Sequence, residues 1–151
     1  MVTGCKTVGE QEQARRAPTL PAGLSIRMME DQDRVRVAEL FNEPPEAIRD
    51  DYMVSLIADY HGRIVAVLRG WLGHPRGHIE MFHVEQLASP RERYAGSVWL
   101  LRAFEGLLDT IGARGWTAMT DEQNDSMVKF LTRHGAQPLA GRQYVFVREW
   151  R

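Results

Sequence analysis

Apolar and polar residues alternate over Leu24-Ser25-Ile26-Arg27-Met28, and this period of two predicts a strand. Val35, Val37, Ala38, Leu40 and Phe41 then form a helical stripe that Asp31 or Asp33 can cap. Pro44-Pro45 stops that helix and opens a short second one through Ile48. Residues 52–60 (YMVSLIADY) and 63–72 (RIVAVLRGWL) read as two strands joined at His61-Gly62 into a hairpin. A loop at Gly73, Pro75 and Gly77 leads to a long strand over 78–88. Its alternation breaks at Met81-Phe82, which predicts a bulge there. The strongest helical period runs over 94–114, with Leu100, Leu101, Phe104, Leu107, Leu108 and Ile111 on one side. A short strand follows at 116–120. A helix over 124–134 comes next, capped by Asn124 or Asp125 and closed by Gly135. The last strand spans 142–149, with room for another short one near 136–140.

This order predicts an α/β (α+β) fold: a mixed, mostly antiparallel sheet of six to seven strands with helices on both faces. Residues 1–22 contain few large apolar groups, with Gly4, Gly9, Pro18, Pro21 and a polar run from Glu10 to Arg16. They read as a flexible N-terminal tail before a single domain over 23–151.

Composition narrows the function classes. Nineteen Lys and Arg against 20 Asp and Glu give a net charge of −1, so no overall attraction to nucleic acid is expected. The longest apolar run, Ile64 to Leu68, is far short of the roughly 20 residues a membrane helix needs. One cysteine, Cys5, excludes an internal disulfide and a cysteine cage. His74 and His78 flank Pro75 and Gly77, which argue for a loop rather than a metal-binding helix face, so no metal is expected. The opening residues have no secretory pattern, and a cytoplasmic protein is expected.

The stretch 87–101, LASPRERYAGSVWLL, carries the candidate chemistry. A strand ends, a short basic loop follows, and a long helix begins at a glycine. The first N–H groups of such a helix, with the positive end of its dipole, can hold an anion. Gly96 has no Cβ to keep a phosphate away, and Arg91 and Arg93 add charge. An ordinary strand-to-helix turn with exposed arginines has the same sequence.

Layout and loop together resemble the GCN5-related N-acetyltransferases over about residues 24–149. In that family an Arg/Gln-x-x-Gly-x-Gly/Ala loop holds the pyrophosphate of acetyl-CoA. Two registers fit here: Arg93-Tyr-Ala-Gly96-Ser-Val98, with Val98 at the final small position, and Arg91-Glu-Arg-Tyr94-Ala-Gly96, with Tyr94 at the first glycine. The second is preferred, because Gly96-Ser97-Val98 then begins the helix. The resemblance thus implies a cosubstrate site over Leu87, Ala88, Arg91, Arg93, Tyr94, Ala95, Gly96, Ser97 and Val98. The later Asn124-DSMVKFLTRH-Gly135 segment also matches the family pattern, and Asn124 either binds the pantetheine arm or caps its helix.

The resemblance implies acetyl transfer from acetyl-CoA to a primary amine, with a base taking the amine proton and an acid protonating the thiolate. Glu80 falls where one branch keeps its base. Between Ile79 and Met81 its pKa is expected to rise, although a solvated strand position is the other reading. His83 and Glu85 lie on the same strand. The family's helix tyrosine falls at Leu131 or Phe130, neither of which can donate a proton, so Tyr144 is the substitute acid. The missing tyrosine also fits a second reading, a non-catalytic domain of this fold that senses acyl-CoA or serves in assembly. Between Arg27 and Asp51, eight acids against four arginines leave a net −4, which favours a cationic amine acceptor. A solvated helical face explains the same charges. Edge pairing of the last strand across a homodimer is compatible with the layout.

Overall fold

The computed structural model describes residues 19–49, 53–120, 124–140 and 143–147. Most of the expected tail, and Asp50, Asp51 and Tyr52, lie outside the described residues. Seven strands form one sheet: β1 Leu24–Met28, β2 Val54–Tyr60, β3 Arg63–Trp71, β4 Gly77–Val84, β5 Gly115–Met119, β6 Gln137–Ala140 and β7 Gln143–Val147. Their order is β1-β2-β3-β4-β5-β7-β6. Among the described residues only the β4–β5 pair is parallel. The helices are α1 Arg34–Leu40, α2 Pro90–Thr110 and α3 Asp125–Arg133, and short 3-10 turns precede and follow α1. The mixed sheet with helices on both faces is as the sequence predicts, and the short strand expected near 136–140 is β6. Among the described residues no helix is long and apolar enough to cross a membrane.

The β2–β3 hairpin explains why its sequence shows no clean alternation. Leu56, Ala58, Ala66 and Leu68 pack with α2 residues in the larger apolar cluster, while Ile57 and Val67 pack with Val37, Ala38 and Ile48 on the other face. A strand buried on both sides reads as a continuous apolar run. His61 and Gly62 both have positive φ, 49° and 83°, as a tight hairpin turn requires. Asp59 accepts a bond from the Gly62 N–H at 2.7 Å.

Helix α2 begins four residues before the expected start, at Pro90. Ser89 is its N-cap: its hydroxyl accepts from Glu92 N–H at 3.2 Å, and the Glu92 carboxylate accepts from Ser89 N–H at 3.4 Å. The Ser-Pro-x-Glu string is a capping box with proline at the first helical position, a sequence signal that outweighs the glycine six residues on. Gly96 therefore lies within the helix rather than at its start. A Cβ there would stand 3.2 Å from both Ala58 Cβ and Val65 Cγ2, so the bare glycine lets α2 press against the hairpin. Leu100, Leu101, Phe104 and Leu108 fill the space between α2 and the sheet, each stabilising by about 1.5–3 kcal/mol on burial.

Strand β4 ends at Val84, earlier than expected, and residues 85–89 form the connection to α2. Its bulge also moves. Arg69 pairs with Met81 and Gly70 with Ile79, so the residue outside the ladder is Glu80 rather than Met81 or Phe82. Gly70 stands beside this shift on the neighbouring strand. A Cβ on Gly70 would meet the His78 carbonyl oxygen at 2.5 Å, so β3 approaches β4 closely just before the bulge.

Candidate functional site

Strands β4 and β5 pair only at Gly77–Trp116, His78–Thr117 and Ile79–Ala118. Beyond Ile79, β4 continues for five residues without β5 beside it. β5 ends at Met119, one residue past the last pair, so among the described residues the β4 edge beyond Ile79 has no β5 residue paired to it. A cleft of about 340 Å³ opens there, walled by Phe82, His83 and Val84 of β4, by Arg93, Tyr94 and Ser97 of α2, and by Asn124, Met127 and Phe130 at α3. A second cavity of about 170 Å³ lies toward the end of β5, lined by Ile79, Ala118, Met119 and Thr120, and shares Phe82, Asn124 and Met127 with the first. Together they make a slot running from the mouth near α2 into the space between the strands.

The cleft brings together four of the residues singled out from the sequence: Arg93, Tyr94, Ser97 and Asn124. Asn124 is the N-cap of α3, its Oδ1 accepting from Met127 N–H at 3.3 Å. Capping and lining the cleft are both true of it. Ser97 is buried and donates to the Arg93 carbonyl at 2.7 Å, while Arg93 donates to Gln86 Oε1 at 2.9 Å. The other expected cradle residues do not join them. Leu87 is 89% exposed, Arg91 points to solvent, and Ala88, Ala95 and Val98 are buried in the core.

Glu80 is also placed differently from the expectation. Its side chain is 41% exposed rather than pressed between apolar neighbours, and it does not line either cavity. Its carboxylate lies 3.2 Å from His78 Nε2, whose Nδ1 meets Thr117 Oγ1 at 2.8 Å, and Trp71 stacks on the same imidazole. The bulge removes Glu80 from the regular pleat, which the one-dimensional pattern around Ile79 and Met81 cannot reveal. Tyr144 is registered opposite Ala118 on β7.

The group that sequence reasoning placed lower, His83, lines the cleft. Its ring meets Phe41 edge-on at 5.9 Å, and its buried Nε2 has no hydrogen-bond partner among the described residues. Burial pushes its pKa below the ordinary histidine value. Glu85 opposes that shift and Arg36 reinforces it. The imidazole is thereby kept neutral near pH 7, able to accept a proton. Arg36 donates to Glu85 at 3.1 Å and so ties α1 to the β4–α2 connection beside this ring.

Ion pairs order part of the acidic segment. Arg27 donates to Asp33 at 2.7 and 2.9 Å and to Asp59 at 3.0 Å; Asp31 pairs with Arg34 and Glu39 with Arg36, each at 3.1 Å. These arginines are already counted in the net −4, so the pairs fix where the charges sit and leave the net unchanged.

These residues fit one part of coenzyme A and not another. The slot suits an extended, amide-bearing thioester arm, with apolar walls and an unpaired strand edge beside it. The pyrophosphate cradle does not fit. Arg93 to Val98 lie within regular helix, and the end of α2 is closed by its own cap.

No family model matches the chain, and neither does any curated protein. Solved structures do. PaiA N-acetyltransferase from Thermoplasma acidophilum, in complex with coenzyme A, superposes with a TM-score of 0.65 at 10% identity, over 84% of this chain and 99% of that one. The ribosomal-protein-S18-alanine N-acetyltransferase from Escherichia coli gives 0.68 at 10% identity over 81% and 90%. Spermidine N-acetyltransferase from Vibrio cholerae gives 0.63 at 12% identity over 85% and 95%. The chain therefore has the fold of the GCN5-type N-acetyltransferases that its sequence resembles.

Proposed function

We propose that this protein is an N-acetyltransferase that moves an acetyl group from acetyl-CoA to a primary amine. The observation that carries this reading is the cleft beside the β4 edge past the end of β5, lined by His83, whose buried Nε2 has no hydrogen-bond partner among the described residues, on an N-acetyltransferase fold. The amine nitrogen attacks the thioester carbonyl carbon, the C–S bond breaks, the amine proton passes to a base, and the departing sulfur takes up a proton. His83 is the proposed base, because it borders the slot and Glu80 does not. Tyr144, registered opposite Ala118 on β7, is retained as the proposed acid, and Asn124 as a contact for the thioester arm. Acceptors named for proteins of similar fold, spermidine and a ribosomal-protein alanine, support an amine acceptor. A cationic amine is preferred, and the cytoplasm is the proposed location.

The test is release of thiol from acetyl-CoA with a panel of polyamine, aminoglycoside and peptide N-terminal amines. Turnover that His83→Gln lowers on the order of 100-fold, with Glu80→Gln near wild type, is the expected result. Loss with Glu80→Gln alone returns the base to Glu80. Binding of acetyl-CoA without turnover on any amine selects the non-catalytic sensor reading, which the absence of a phenol at Phe130 and Leu131 favours.

A further inference from the structure

The end of α2 is already filled by the protein's own atoms. Pro90 has no N–H, Glu92 N–H bonds to Ser89 Oγ, and Arg93 N–H bonds to the Ser89 carbonyl at 2.9 Å. The Glu92 carboxylate lies at the same end, bonded to Ser89 N–H, and repels a second anion. Of the first four helix N–H groups that ordinarily meet a diphosphate, only that of Arg91 remains uncommitted. Deeper in the helix, Gly96 faces Ala58 and Val65 rather than solvent. The cleft meets the side of the first two turns, where it finds one guanidinium, Arg93, and the phenol of Tyr94.

We infer that this site recognises its donor through the acyl-phosphopantetheine arm, with Arg93 meeting the single phosphate next to the arm, and makes little use of the nucleotide beyond it. The inference rests on the transferase reading above. It implies that the arm serves equally whether carried on coenzyme A or on a carrier-protein serine.

Calorimetry on the full chain tests it with coenzyme A, 4′-phosphopantetheine, pantetheine and 3′,5′-ADP. The expected result is coenzyme A and phosphopantetheine binding within tenfold of each other, with no heat from 3′,5′-ADP at 1 mM. Arg93→Gln weakens phosphopantetheine about tenfold and leaves pantetheine unchanged. A preference for coenzyme A above tenfold, saturable binding of 3′,5′-ADP, or an equal loss for phosphopantetheine and pantetheine in Arg93→Gln overturns it. Acetyl thioesters of coenzyme A, phosphopantetheine and a carrier protein, each offered with the amine panel, separate the two donor sources. Thioester binding without turnover removes the enzyme reading but keeps the recognition rule, whereas turnover confined to acetyl-CoA overturns the rule and keeps the enzyme.

Discussion

His83 and Asp33 show how environment sets the behaviour of single residues. His83 has its pKa lowered mainly by burial, so between that value and about 6.5 the unfolded chain binds more protons than the folded one. Its contribution to stability is full above about pH 6.5 and is lost as pH falls through the lowered value. Urea titrations between pH 7 and 5 are expected to show a decline that His83→Phe reduces. The same titration sets the acid limb of kcat, which is expected below pH 6.5 and absent in His83→Gln. Asp33 differs in kind: Arg27 holds its carboxyl below the usual range against the opposing cost of burial. It accepts two bonds from Arg27 and one from Glu30 N–H at 2.8 Å. Asp33→Asn is expected to cost about 1–3 kcal/mol at pH 7, read from the urea midpoint. Neither environment is visible in the chain order. Asp33 shares Arg27 with Asp59, which lies 32 residues from that arginine, and His83 becomes distinctive only once Phe41 and α1 cover it.

At the scale of elements, helix α2 joins the two halves of the site. Ser89→Ala removes one side of its capping box and is expected to cost about 1 kcal/mol in thermal or urea unfolding. Gly96→Val places carbon where Ala58 and Val65 already stand, and is expected to destabilise by about 1–3 kcal/mol although valine is a better helix former than glycine. If Gly96 instead belonged to an open phosphate loop, the same change would weaken donor binding with stability nearly intact. Measuring both quantities on one variant separates the two roles. The body of this helix was legible in its leucine spacing, and its start was legible in Ser89-Pro90-Arg91-Glu92. The glycine, read as a loop signal, pointed six residues too far along, because a glycine needed for close packing and one needed for a turn look identical in one dimension.

For the whole molecule, the slot depends on how few residues β4 and β5 share. A donor that binds only the folded protein is expected to raise stability by about 2.7 kcal/mol at a hundredfold excess over Kd, a rise in Tm of about 10 °C for a domain of this size. Phosphopantetheine and coenzyme A are expected to give equal shifts when each is present at the same multiple of its own Kd.

The sequence by itself determined the order of elements, the β2–β3 hairpin and the Asn124 cap, because these follow from local periodicity and side-chain chemistry. Only the tertiary structure decided which candidates share a surface. Glu80 lies outside the ladder where Gly70 lets β3 approach β4 closely, and Gly96 lies inside α2 where that helix meets the hairpin. Both outcomes depend on contacts between strands and helices distant in the chain, to which a pattern of neighbouring residues is blind.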